Sequence, residues 1–303
     1  MLSETCSLSS KQRYGWSRIC RVWAIPRSTV YDWRRRREAT STAIPRRGRR
    51  PIVPDAELVE AIRQLLADSS ESGFHGEGYR KVWARLRHRG LRADKERIRR
   101  LMGQHQLLVP VRAGHPNGPH VHDGTIIPLA PNLIWGTDAT ATWTTQQGQV
   151  TVFAVLDHFT GECLGIHAAK YGSRHEALEP IRQAVKGVFG HYDAKVATGV
   201  LIRHDHGSQY VSHDFQAEVS FLGMESSPSF VRSPEGNGSI ERFFRTLKEQ
   251  LLWLRDYADE EDLRHALYLF RAKYNQHWIL QRHGYRTPQQ VRDEWNQKLK
   301  RVS

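Results

Sequence analysis

The spacing of apolar positions changes at Pro131. Before it, apolar residues recur every three or four positions; after it, they alternate or run together. Trp16, Ile19, Cys20, Val22 and Trp23, a break at Pro26, then Val30, Tyr31 and Trp33 predict two short helices about a tight turn. That is the helix-turn-helix pattern, in which the second helix can enter a major groove. The next stretch places Pro45, Pro51 and Pro54 among arginines and reads as a linker. From Asp55 to Leu108 the helical period returns in three segments, with Gly90 suited to a C-cap and Asp94 to an N-cap, so a second small helical module is expected. Residues 109–131 are rich in Pro and Gly and form another linker; its His115, His120 and His122 lack the fourth nearby ligand that a closed zinc site needs.

Beyond Pro131, "LIWGTDATATW", "QVTVFAVLDHFTG" and "ECLGIHAA" are β-branched and aromatic runs separated by "TTQQG" and a Thr160-Gly161 turn, which predicts an antiparallel meander. A helix over 174–189, the strand "GVLIRHD", a helix near 212–222, the short strand "ESSPSFV" and a helix entered at Ser239 follow. Such an order describes an α/β unit, a mixed sheet covered by helices. The tail from Glu260 to Trp295 is mostly helical, interrupted between Gly284 and Pro288.

Charge adds a partner class. Of the net +13, residues 1–50 carry +10, with thirteen Lys and Arg against three acids. Cations gathered at one end of a chain favour a polyanion, because each neutralised phosphate releases counterions; the plainer reading is a solvated basic tail. Arg34, Arg35, Arg36 and Arg37 close the second N-terminal helix and are the candidate phosphate contacts. Cys6, Cys20 and Cys163 are odd in number and lack CxxC spacing, which argues against a disulfide framework or a thiolate zinc site. No apolar run approaches the roughly 18 residues of a membrane span, and no apolar signal core opens the chain, so a cytoplasmic protein without membrane contact is expected.

Three acids stand in distinctive settings. Strand alternation puts Asp138 mid-strand on one face with Ile134, Gly136, Thr140 and Thr142. A carboxylate buried there costs several kcal/mol unless compensated; on a wet sheet face it costs little. Asp205 ends a strand before Gly207, a common place for an Asp in a turn and also the end where α/β folds place their chemistry. Glu241 enters a helix just after a loop holding Pro234, Gly236, Asn237 and Gly238. On that helix Ile240, Phe243, Phe244, Leu247 and Leu251 form a stripe to dock on the sheet, beside a second stripe of Glu241, Arg245 and Lys248. The plain reading of Glu241 is a surface pair with Arg245. Taken together, the three make an oxygen-only donor set suited to Mg²⁺ or Mn²⁺, of the kind phosphodiester chemistry uses.

At these residues the chain resembles the integrase-core, or DDE, transposases of bacterial insertion sequences, in particular the second-frame product of those split between two reading frames, within the retroviral-integrase-like superfamily. The resemblance rests on "WGTDAT" at Asp138, "RHDHGSQY" at Asp205 and "GNGSIERFFRTLK" at Glu241, with 35 residues between the last two acids and Lys248 seven residues further on. It covers about 132–290, including "YNQHW" and "GYRTP", and more loosely the preceding helices. It implies an RNase H-like fold with a five-stranded sheet, two Mg²⁺ or Mn²⁺ ions, and catalytic, metal-holding Asp138, Asp205 and Glu241. It further implies that Lys248, Asn237, Gln209, His206 and Arg245 face double-stranded DNA, both element ends and target, in a homo-multimer with a separately encoded upstream helix-turn-helix partner. In a bacterial cytoplasm such a chain would associate with the nucleoid. His204 and His206 stand where relatives often have Ser and a basic residue. The expected division is 1–44 helix-turn-helix-like, 45–54 linker, 55–108 second helical DNA-binding module, 109–131 linker, 132–256 catalytic core and 257–303 helical tail. The implied activity is Mg²⁺-dependent strand cleavage and 3′-hydroxyl strand transfer; the alternatives are a catalytically inactive DNA-binding regulator and an RNase H-type nuclease.

Overall fold

The computed structural model describes residues 5–38, 52–109, 128–228 and 238–302. The chain splits into two units, Met1–Ile52 and Val53–Ser303. In the first, α1 (Trp16–Val22) closes on buried Cys20, Ala24 takes a φ of 50°, and α2 (Arg27–Glu38) starts directly after Pro26. This is the helix–turn–helix outline that the apolar spacing predicts. His115, His120, His122 and Asn237 lie outside the described residues, as does most of each proline-rich linker.

The second unit opens with three helices, α3 (Asp55–Glu71), α4 (Tyr79–His88) and α5 (Lys95–Gln104). They bury Leu58, Ile62, Leu65, Val82, Leu86, Ile98, Leu101 and Met102 in one small cluster. Asp94 caps α5 by accepting the N–H groups of Glu96 and Arg97, and Gly90 after α4 has a φ of 84°, the left-handed position that favours glycine. The helices are tied to the rest of the unit. Phe74 packs among Phe270 and Trp278, and the Gln250 side chain pairs with both backbone groups of His75, accepting at 2.7 Å and donating at 3.0 Å.

The sheet follows the order β3-β2-β1-β4-β5, built from β1 (Ile134–Thr144), β2 (Gly148–Asp157), β3 (Cys163–Ala169), β4 (Leu201–His204) and β5 (Glu225–Pro228). The first three form the antiparallel meander, and β4 and β5 join parallel. This mixed sheet with helices on both faces is the RNase H-like arrangement that the resemblance implies. On one face, Trp135, Phe153, Val155 and Ile202 pack under α6 (Arg174–Phe189) and α8 (His213–Phe221). Gly165 is required there, because a Cβ would stand 1.9 Å from the carbonyl oxygen of Pro180 on α6. On the other face, Val150, Val152, Ala154 and Leu156 pack under α9 (Gly238–Leu247) and α10 (Glu260–His277).

As an edge strand, β3 would leave backbone groups unpaired. Side chains take them. Asn275 accepts the N–H of Cys163 and donates to its carbonyl, both at 2.9 Å, while Gln183 accepts the N–H of Ile166 and Arg264 donates to the carbonyl of Ala168. Asn275 belongs to "YNQHW", so that segment has a structural duty. In "GYRTP", Thr287 and Gln290 exchange backbone-to-side-chain hydrogen bonds at 2.9 and 3.2 Å, a capping box around Pro288 that starts α11 (Pro288–Val302). From α11, Arg292 reaches back to Glu162, Asp157 and Asn132. No helix among the described residues is long and apolar enough to cross a membrane.

Candidate active site

The register of β1 and β2 decides where the first carboxylate stands. In β1 and β2, residues opposite each other share a face, and Asp138 pairs with Ala154 between Gly136–Leu156 and Thr140–Val152. Asp138 therefore points to the α9 side, as strand alternation predicts, with small neighbours around it. Parallel β4 matches Ile134 with Leu201 and Gly136 with Arg203. Asp205 follows His204, the last residue of β4, and its charge reaches Asp138. The even positions of β4 turn the other way. Ile202 and His204 sit in the opposite layer, where the His204 ring stacks on Tyr210 and meets the edge of Phe215.

Asp205 is held by its own turn. Its Oδ1 accepts the N–H of Gly207 at 2.9 Å, and a short helix, α7 (Ser208–Val211), starts immediately after. A Cβ on Gly207 would lie 2.5 Å from Nε2 of Gln209 and 2.9 Å from Oδ1 of Asp205, so only glycine leaves the carboxylate its place. His204 props the same turn from below. Its Nδ1 donates to the carbonyl of Asp205 at 2.6 Å, which leaves Nε2 to accept from the Ser226 hydroxyl at 2.8 Å. Burial lowers the His204 pKa, in keeping with that neutral tautomer. Neither the role of Gly207 nor that of His204 was read from sequence; the signal available was the "HDHG" run, a titratable residue fixed beside a tight turn.

Glu241 comes from the third direction. The stripe Ile240, Phe243, Phe244 and Leu247 is buried against the sheet, which leaves Glu241 exposed on the first turn of α9. Arg245 turns to Glu249, at 3.6 Å, rather than to Glu241. Lys248, half-buried, begins a π-helical turn (Lys248–Leu252), an irregularity that is frequent at functional sites. His206 is exposed and Gln209 half-buried beside the Asp205 turn. In the first unit Arg34, Arg35 and Arg37 are exposed, Arg35 donating to Asp32 at 2.6 Å, and the Arg36 side chain lies outside the described residues. Asp157, a rival carboxylate by position, is buried and occupied by the N–H groups of Asn132 and Thr160 and by the Thr160 hydroxyl.

The electrostatics join the three acids. The Asp138 carboxyl is pushed up to about 6, first by burial, with the charges of Asp205 and Glu241 adding to it. The hydrogen bond from the Ala139 N–H and the charge of Lys248 pull the other way. Asp138 thus feels both other carboxylates with one lysine as counterweight, and a hard divalent cation is the species whose charge and oxygen preference fit such a set. As they stand, no three His, Cys, Asp or Glu side chains among the described residues are gathered tightly enough to enclose an ion.

Residues 128–234 and 222–288 each match an integrase core domain family, and residues 54–115 match an HTH-like domain. Two curated relatives of 27% identity are Transposase InsD for insertion element IS2A/D/F/H/I/K of Escherichia coli and Transposase InsD for insertion element IS2-9 of strain K12. Their alignments take in 70% of this chain and 72% and 71% of theirs. Among solved structures, the catalytic core domain of BIV integrase covers 55% of this chain and 97% of its own at 18% identity, with a TM-score of 0.41. The HTLV-2 integrase catalytic core domain in complex with magnesium covers 54% and 97% at 20% identity, with a TM-score of 0.39. Sheet order, family matches and relatives define an integrase-core protein with an HTH-like helical region. Residues 128–288 carry the integrase core domain and residues 54–115 the HTH-like domain, and the chain is similar to insertion-element transposases.

Proposed function

We propose that this chain cuts one DNA strand at each end of a mobile element and joins the freed 3′-hydroxyl to target DNA, with Asp138, Asp205 and Glu241 as the catalytic carboxylates. The observation that carries the reading is the mid-strand Asp138, which burial, with the charges of Asp205 and Glu241 adding to it, raises to about 6. Crowded acids of this kind are costly in a structural role and useful around a cation.

Asp138, Asp205 and Glu241 would hold one or two Mg²⁺ or Mn²⁺ ions. When bound, such ions supply Lewis acidity toward the phosphodiester and its attacking oxygen. The chain's residues do the rest. Asp138 is fixed by the strand ladder and the Ala139 N–H, and Asp205 by the Gly207 N–H, so both present carboxylates without rearranging. Lys248, near enough to lower Asp138, offers an ammonium to a phosphate on the same face. Gln209 and His206 flank the Asp205 turn, and they, with Asn237 and Arg245, would steady the DNA backbone. The arginines of α2 would grip it elsewhere. Joining two ends calls for at least two copies, which supports a homo-multimer and leaves room for a separately encoded helix-turn-helix partner.

A strand-cleavage and joining assay on DNA bearing the element's ends, in Mg²⁺, tests the reading. Native protein should cleave and join, and Asp138→Asn and Glu241→Gln should each lose at least about 100-fold. Equal activity in all three would remove the mechanism. Binding without cleavage by native protein would favour a regulator, and hydrolysis of RNA–DNA hybrids without joining would favour a nuclease.

A further inference from the structure

The loop after α10 is gripped from two sides. On one side α4 seats it: Arg85 donates to the carbonyl of His277 at 2.9 Å, and the buried Lys81 ammonium rests on the face of the Trp278 ring. Trp83 meets Tyr285 edge-on, with 5.8 Å between ring centroids. A bridge between Leu280 and Arg286 closes the loop. On its other side the loop lies tight over the Gly161 turn, where a Cβ would stand 2.7 Å from Cδ1 of Leu280 and 2.9 Å from Nη2 of Arg282. From this seat Arg282 reaches α9. Its Nη1 donates to the Ser239 hydroxyl oxygen at 3.2 Å, two residues before Glu241.

Stability alone does not explain an arginine in that place. The N-terminus of a helix is the positive end of its dipole, where a cation is unfavourable. Arg282 is half-buried; burial lowers its pKa, and the charge of Arg242 on α9 adds to that. Tyr274 and Asp157 oppose the shift, but the Asp157 carboxylate is already taken by the N–H groups of Asn132 and Thr160 and by Arg292. What the placement supplies is geometry. Glu241 is exposed, so the backbone of the first turn of α9 sets where its carboxylate stands, and helix ends fray unless something ties them. A guanidinium on a braced loop, bonded to Ser239, is such a tie.

We infer that Arg282 is a positioning residue for Glu241: it ties the first turn of α9 to the loop that α4 seats, and so fixes the third carboxylate relative to Asp138 and Asp205. The inference rests on the reading of those three acids as the catalytic set. It also gives the HTH-like helices a route to the site, because Trp278 and Tyr285, which α4 holds, flank Arg282 in one loop.

The test measures three things on the full chain: single-turnover strand cleavage at saturating DNA in Mg²⁺, DNA affinity without metal, and thermal unfolding. Arg282→Met and Ser239→Ala should each slow cleavage roughly tenfold, and the double variant should lose no more than either alone, since both remove one bond. Arg282→Lys, which keeps a donor, should recover part of the rate. DNA affinity and unfolding temperature should stay near native in all of them, because the cation removed is a desolvated one at the positive end of a helix. Without metal, the amides of Arg242 and Phe243 in α9 should exchange faster with deuterium in Arg282→Met than in native protein. Losses that add in the double variant, or that track a fallen unfolding temperature, would make Arg282 merely structural and overturn the inference. Lost DNA affinity with native cleavage at saturation would make it a DNA contact and overturn it too, as would native cleavage in both single variants. Native protein that does not cleave, or that cleaves no better than Glu241→Gln, would overturn the reading of the site itself and the inference with it.

Discussion

Asp138 of β1 feels the charge of Asp205, which follows β4 two residues past Arg203, the last residue paired with β1. Burial of Asp138, with the charges of Asp205 and Glu241 adding to it, has a consequence for stability. The Asp138 carboxyl sits at about 6, against an ordinary 3.8. A raised acid binds its proton more tightly folded than unfolded, so its favourable contribution is complete below about pH 4 and is lost as pH rises through about 6. In metal-free buffer, Asp138→Asn should therefore be more stable than native protein by on the order of 2 kcal/mol at pH 7, and the gap should vanish near pH 4. Denaturant melts at both pH values check it, and a variant less stable at pH 7 would count against a crowded, cation-seeking site.

Gly207 supports that pair without touching DNA. Its φ of −55° suits any residue, so Gly207→Ala should cost little stability, within about 0.5 kcal/mol. The new methyl would displace Gln209 and the Asp205 carboxylate. Strand cleavage should fall roughly tenfold or more, since small misplacements are costly in catalysis. Thermal unfolding and cleavage rate measured together separate the effects; unchanged cleavage would show that the Asp205 turn does not need this tight geometry.

Asn275 closes the edge of β3 by pairing both backbone groups of Cys163. Asn275→Ala leaves two part-buried polar groups without those partners and should destabilise the unit by about 2–3 kcal/mol. Urea unfolding reads this directly, and a loss under about 0.5 kcal/mol would mean that water replaces the amide.

Arg292 is the cation for two acids, buried Asp157 and half-buried Glu162. Burial raises the Glu162 pKa and Arg292 opposes it. Arg292→Met should cost about 3 kcal/mol at neutral pH, because breaking one side of a buried pair leaves charge uncompensated. The loss should shrink as pH falls and Glu162, raised by burial, takes up its proton. Equal destabilisation at pH 7 and pH 4 would point to lost packing instead.

Local pattern carried much of this site into view. Alternation alone put Asp138 on its face, and the loop-to-helix change with a buried aromatic stripe aimed Glu241. The approach of Asp205 to Asp138 was not legible, because β1 and β4 pair across a helix and two strands and nothing local encodes a parallel pairing. Arg245 shows the same limit, since i,i+4 spacing offers it both Glu241 and Glu249 and only the fold chooses the second. His204 looked like a possible replacement for a functional residue, but the even positions of β4 carry it into the core. The π-helical turn at Lys248 has no signature in a helical period. Lys81 was invisible for a related reason: its ammonium is buried only because α4 packs against Trp278, nearly 200 residues away.

The central claim is that Asp138, Asp205 and Glu241 share a divalent cation. Anomalous diffraction from crystals of the DNA complex grown with Mn²⁺ tests it most directly. The account predicts density between the three carboxylates, at oxygen-ligand distances of about 2.0–2.6 Å, and its loss in Asp138→Asn. Manganese bound elsewhere, or bound with any one of the three turned away, would contradict it.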